Sequence, residues 1–187
     1  MKNNPLRIKL FALGTVIATP LLVMLCFPER ALAGTENQPE TPVLQHLFHI
    51  ERSKNANIVQ YDAQLDADGK LDRKKPVVAY WIRLAEQGQV EKLSWVQKTF
   101  AYGFKDRLSP DGESVELDMK VDLGEPIKII RTEDQYRATA PLEGLPSYLE
   151  KIFIQASVKG LSINIEFIEF FGTDIETGDR RYQKVVP

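Results

Sequence analysis

From Leu44 onward, apolar and polar positions alternate with a period of two over short stretches, the mark of strands with one buried face. Leu44 to Arg52 sets His46, Phe48 and Ile50 on one face and Leu47, His49 and Glu51 on the other. Asn57 to Leu65 and Pro76 to Leu84 form two further strands, the second rich in β-branched and aromatic residues. Asp68-Gly69 between them is a turn signal, because glycine accepts positive φ. Ser114 to Asp122 alternates without a break, with Val115, Leu117, Met119 and Val121 inward. Ile127 to Arg131, Gln135 to Ala140, Leu149 to Ser157, Leu161 to Phe171 and Arg181 to Val186 complete the set. Tyr148 to Ala156 also fits a helical period through Leu149, Ile152, Phe153 and Ala156, so both readings stand there.

Glu91 to Tyr102 departs from the two-residue period. Leu93, Val96 and Phe100 recur at helical spacing, Trp95, Thr99 and Tyr102 form a neighbouring stripe, and Gly103 is a helix stop. Many short strands and a single helix predict a mainly β fold: an antiparallel β-sandwich or barrel with one packed helix at about residues 91–102. No regular strand–helix alternation supports a doubly wound sheet.

The N-terminal stretch has a different logic. Lys2, Arg7 and Lys9 precede an almost wholly apolar run from Leu10 to Phe27, and Ala31-Leu32-Ala33 follows before Gly34. Basic, apolar, then A-x-A is the order of a secretory signal peptide. The expected organisation is a signal peptide at 1–33, a flexible leader at 34–43 and a single β-rich domain at 44–187. The expected localisation is therefore export to the periplasm or the extracellular space, with membrane contact only through the signal segment before cleavage. The alternative is a protein tethered by an uncleaved segment, since the apolar run is long enough to just span a bilayer. Cys26 follows Leu25 rather than the small residue that a lipoprotein signal requires.

Composition narrows the function classes. With 24 Lys+Arg against 26 Asp+Glu, the net charge of -2 gives no electrostatic case for nucleic acid as a partner. The one cysteine lies in the signal segment, so a processed chain has no thiol nucleophile, redox pair or thiolate metal site. No zinc spacing, P-loop, dinucleotide fingerprint or G-x-S-x-G elbow occurs, and neither a cofactor nor a metal is expected.

The candidate chemistry is concentrated near the first strands. His49 and Glu51 share a strand face and bring an imidazole near a carboxylate, an arrangement for general base work. His46 is expected on the other face unless a bulge intervenes. Arg52, Asn55 and Asn57 read either as a structural turn or as the rim of a carboxylate- or sugar-binding site, with Arg52 as donor. Arg52 continues the inward face of Phe48 and Ile50, which predicts a carboxylate partner inside the domain or a side chain reaching out at the sheet's end. Tyr80, Trp81 and Tyr102 are large rings with polar tips that suit a core or a pocket. Asp62, Asp66, Asp68 and Asp72 surround Gly69 and resemble part of a calcium loop, but with Asp66 and Asp68 as its third and fifth positions Gln64 and Lys75 stand where the first and last ligands belong, so a solvated hairpin loop is expected.

Residues 46–104 carry a set of distinctive words: Phe48, Ile50, Arg52, Ser53, Asn55 and Asn57, then Pro76, Val77, Tyr80 and Trp81, then Ala101, Tyr102 and Gly103. In these the chain resembles the bacterial family catalogued as domain of unknown function 4833. The similarity continues more weakly to Phe171-Gly172-Thr173-Asp174. The resemblance implies an exported bacterial domain and brings no activity, cofactor or catalytic residue with it. The expected function is thus a module that binds a small ligand or an envelope protein, with His49, Glu51, Arg52, Asn55, Asn57, Tyr80, Trp81 and Tyr102 as candidate binding residues. The alternative is an extracytoplasmic enzyme built on the His49/Glu51/Arg52 region, or a scaffold whose polar words only hold a turn.

Overall fold

Among the described residues, eleven strands make one curled sheet that branches at its longest strand. The computed structural model describes residues 42–52, 55–120, 125–133, 135–159 and 162–186. The expected signal segment (1–33), most of the expected leader (34–43) and Val121 lie outside the described residues. The strands are β1 (Val43–Arg52), β2 (Asn55–Leu65), β3 (Val77–Arg83), β4 (Gln89–Lys92), β5 (Phe104–Leu108) and β6 (Ser114–Met119). There follow β7 (Ile127–Arg131), β8 (Tyr136–Leu142), β9 (Leu145–Lys159), β10 (Ser162–Asp174) and β11 (Arg180–Val185). Asp66 accepts the backbone N–H of Asp68 and Lys70, and Gly69 takes φ +71°, so the β2–β3 link opens with the expected hairpin turn.

β9 organises the rest. One of its edges pairs with β10, from Ser147 to Lys159, and β10 in turn pairs with β11. Its other edge receives β8 at Leu145–Tyr148 and then β1 at Lys151–Ile154. Two arms therefore leave the same edge: β1-β2-β3-β4 and β8-β7-β6-β5. They curl around a shared core that includes Phe48, Ile50, Val59 and Tyr61 from the first arm and Val115, Leu117, Ile127 and Ile129 from the second. Tyr61 closes the curl: it stacks on Phe48 at 4.5 Å, meets the Phe104 ring of β5 at 5.9 Å, and donates to the Tyr102 carbonyl at 2.8 Å. Each fully buried side chain of this size contributes about 1.5–3 kcal/mol.

The mainly β, barrel-like architecture expected from the alternation is the one observed, and four details differ. The β1–β9 pairing is parallel, because β1 and β9 are far apart in sequence and need no hairpin between them. The residues at 91–92 belong to β4, and the helix begins later, as an α-helical turn (α1, Trp95–Gln97) that runs into a π-helical turn at Lys98–Tyr102. Ser94 caps α1 in a capping box with Gln97, which sets the start that periodicity alone misplaces. β5 at Phe104–Leu108 is a strand that the alternation does not mark, while of the two readings of Tyr148–Ala156 the strand is the one observed, within β9.

The fourth difference lies in register shifts along β1 and β10. β1 has an extra residue at Leu47, so Leu47 and Phe48 are both buried and His46 turns to the outer face with His49. In β10 a register shift between Ile165 and Phe167 hands the core to Ile168 and Phe170.

Candidate functional site

The two faces of the β1-β2-β3 arm carry different chemistry. On the outer face, Asp62 of β2 lies opposite His46 of β1, and Gln60 lies between His49 of β1 and Tyr80 of β3. Asp62 is 2% exposed and accepts from His46 Nδ1 at 3.3 Å, from Gln60 Nε2 at 2.9 Å, and from the Tyr80 hydroxyl. Burial pushes the Asp62 carboxyl up, but the bonds from His46, Tyr80 and Gln60 outweigh it and hold the group below the usual carboxylate range. The same neighbourhood raises the Tyr80 hydroxyl, first through burial and then through the adjacent carboxylate.

His49 stands over His46, ring centroids 6.0 Å apart and 29° between planes. Its Nε2 lies 3.2 Å from Glu51, whose other oxygen meets Lys151 of β9 at 3.3 Å. Burial lowers the His49 pKa, against the opposing pull of Glu51. A buried carboxylate at His46 Nδ1 fixes the ring, the arrangement that orients a general base. Among the described residues, no group of three or more His, Asp or Glu is placed to hold a metal ion.

The inner face holds the second constellation. The Arg52 guanidinium carbon lies 5.5 Å from the Trp81 ring centroid and 5.2 Å from that of Tyr102, and the two rings meet edge-on at 5.2 Å. Arg52 forms no ion pair among the described residues, so the expected carboxylate partner is replaced by two aromatic faces. Ring quadrupoles hold a cation with about 0.5–2 kcal/mol, depending on desolvation. They leave its in-plane N–H donors unspent. Among the described residues, Arg52 Nε, Asn57 Oδ1, Trp81 Nε1 and the Tyr102 hydroxyl are all buried without a hydrogen-bond partner. Burial drives the Tyr102 hydroxyl up to about 12, with the Arg52 charge pulling the other way.

Tyr102 also lines a cleft of about 220 Å³ between β3 and the π-helical turn, walled by Val77, Ala79, Leu93 and Phe104 and flanked by Lys75 and Lys98.

The three stretches that hold Arg52 and Asn57, Trp81, and Tyr102 are the distinctive words of the sequence, and they meet in this cluster. The family model for the domain of unknown function DUF4833 matches residues 48–184. The chain belongs to that family. No curated protein and no solved structure matches it. The matched DUF4833 segment spans both constellations apart from His46, and it extends through β11 to Lys184.

The eight candidate residues do not form one site. His49, Glu51 and Tyr80 face outward; Arg52, Asn57, Trp81 and Tyr102 face inward; the side chain of Asn55 falls outside the described residues. Sequence reasoning joined chain neighbours such as Glu51 with Arg52 and Tyr80 with Trp81, whereas the pleat sends neighbours to opposite faces. It missed the role of Asp62, which it placed in a solvated carboxylate run. The available signal was register: Asp62 shares a face with Gln60 on a strand whose next partner carries Tyr80.

Proposed function

We propose that the protein is an exported binding module that captures a small ligand at the Arg52–Trp81–Tyr102 cluster. The observation that supports this reading is a set of four buried polar atoms that have no partner among the described residues: Arg52 Nε, Asn57 Oδ1, Trp81 Nε1 and the Tyr102 hydroxyl. An unsatisfied buried donor or acceptor costs about 1–3 kcal/mol, and a ligand's oxygen atoms at the Arg52–Trp81–Tyr102 contact would offset that cost for the donors there. Three of the four can donate, which favours a ligand rich in acceptors. Export is supported by the Lys2-to-Ala33 pattern.

The test is native mass spectrometry of the protein from the producing cells. A small molecule carried by the parent and lost in Arg52→Ala and Trp81→Phe variants, both still folded, is the expected result. Parent protein of bare mass, with no small molecule stabilising it in a thermal-shift screen, overturns the reading. Co-purification of an envelope protein instead assigns the module a macromolecular partner. For export, N-terminal sequencing should find Gly34 in a soluble periplasmic or secreted fraction; Met1 in the membrane fraction overturns cleavage and supports the tethered alternative.

An enzymatic reading has one specific observation in its favour, the Asp62-held His46 beside Tyr80. It places the base on the outer face, away from Arg52. Turnover that disappears in His46→Gln but survives in Arg52→Ala would support it over the binding reading.

A further inference from the structure

The cleft beside Tyr102 has its own chemistry. Its floor is apolar: Val77 and Leu93 are 2% and 5% exposed, and Ala79 and Phe104 are half-buried and pack on the core. Its charged lining is of one sign, since among the described residues Lys75 and Lys98 border it and no carboxylate does. Both lysines are exposed, and neither forms an ion pair among the described residues. Elsewhere on the surface Arg83, Arg107, Lys151 and Arg180 each meet a glutamate. The wall at Lys98–Tyr102 is a π-helical turn, a local geometry that recurs at functional sites. Gly103 permits that wall: a Cβ there would stand 1.7 Å from the Lys98 carbonyl oxygen.

We infer that this cleft binds a small organic anion with an apolar body, an inference that rests on the ligand-binding reading above and names its ligand class. The volume of about 220 Å³ sets the size. It falls below the ~300–1,000 Å³ of pockets for drug-sized ligands, and at ~30 Å³ per small group it takes a body of roughly six to eight non-hydrogen atoms. The apolar floor receives that body and gains from its removal from water. The two ammonium groups receive the acid head, and Arg52, on the Tyr102 ring that both places share, adds a third positive charge behind it. A bare inorganic anion leaves the floor uncovered, and a cation meets only like charge.

The experiment is titration of the purified protein with octanoate, 1-octanol and octylammonium, followed by calorimetry and by NMR of isotope-labelled protein. Octanoate is expected to saturate, with 1-octanol at least tenfold weaker and octylammonium weaker still. A Lys75→Ala/Lys98→Ala variant should reduce octanoate affinity to that of 1-octanol and leave 1-octanol unchanged. Equal affinity for all three probes overturns the anion class. Octanoate binding that survives loss of both lysines and vanishes in Arg52→Ala overturns the cleft but supports the Arg52 cluster. Lysine-dependent binding that is indifferent to Arg52→Ala supports the cleft and removes Arg52 from it. No saturable binding of octanoate overturns the inference.

Discussion

Tyr61 of β2 donates its hydroxyl hydrogen to the backbone carbonyl of Tyr102, at 2.8 Å and with no solvent exposure of the tyrosine. That bond ties the middle of the first arm to the end of the π-helical turn, where the second arm begins. Removing the hydroxyl leaves a buried carbonyl without this donor while the stack on Phe48 survives. Tyr61→Phe should therefore cost about 1–3 kcal/mol in urea unfolding. A loss below about 0.5 kcal/mol would mean that water or another donor replaces the hydroxyl at no cost.

Gly103→Ala should be far more damaging than an ordinary loop substitution. The obstruction is the Lys98 carbonyl oxygen, 1.7 Å from the added carbon, with the Lys98 carbonyl carbon at 2.7 Å. Backbone cannot swing aside as a side chain can, so the π-helical turn must unwind. Adding Lys98→Ala should not rescue the variant, since the clash is with the main chain. Circular dichroism melts of the single and double variants check this; a rescued double variant would place the conflict in the lysine side chain.

Arg52→Ala should lower stability modestly. With no carboxylate to leave unpaired, the loss is that of two cation–π contacts, about 1–2 kcal/mol. In a chain of this size that is about 2–4 °C of melting temperature per kcal/mol. Arg52→Lys should retain part of it. A loss of about 3–5 kcal/mol, the cost of breaking a buried ion pair, would contradict the aromatic account.

Acidification should weaken the fold in two separate windows. Burial puts the folded-state pKa of His49 below the 6.5 of the free side chain, so the unfolded chain takes up its proton first as the pH falls past 6.5. The His49 contribution is complete above that pH and declines below it. Asp62, held below 3.8 in the folded protein, contributes above 3.8 and loses its contribution as the pH falls through its folded-state value. Urea midpoints measured from pH 7.5 downward should show the first decline in the parent and a flatter curve in His49→Gln. Equal slopes in the two proteins would exclude His49 as its source.

The period-two pattern alone determined that the protein is mainly β, and it located most strands to within a few residues. Core positions such as Phe48, Ile50, Val115 and Leu117 were legible because burial on one face imposes alternation locally. The side to which the polar residues turn was not. A single extra residue at Leu47 reverses the face of everything before it, and a bulge changes no composition that periodicity detects. His46 thus joined His49 only in the folded sheet.

Long-range pairing was also beyond the pattern. β1 lies parallel to β9 across about a hundred residues of chain, and local propensity has no information about which strand fills an edge. The residues at 52, 81 and 102 are separately ordinary: an arginine after a strand, a tryptophan within one, a tyrosine at a helix end. Only the curl of the sheet sets the guanidinium against both rings and leaves four buried polar atoms with no partner among the described residues. Sequence determines which residues are available for burial; tertiary structure decides which of them meet, because contacts between distant strands depend on closure of the whole sheet.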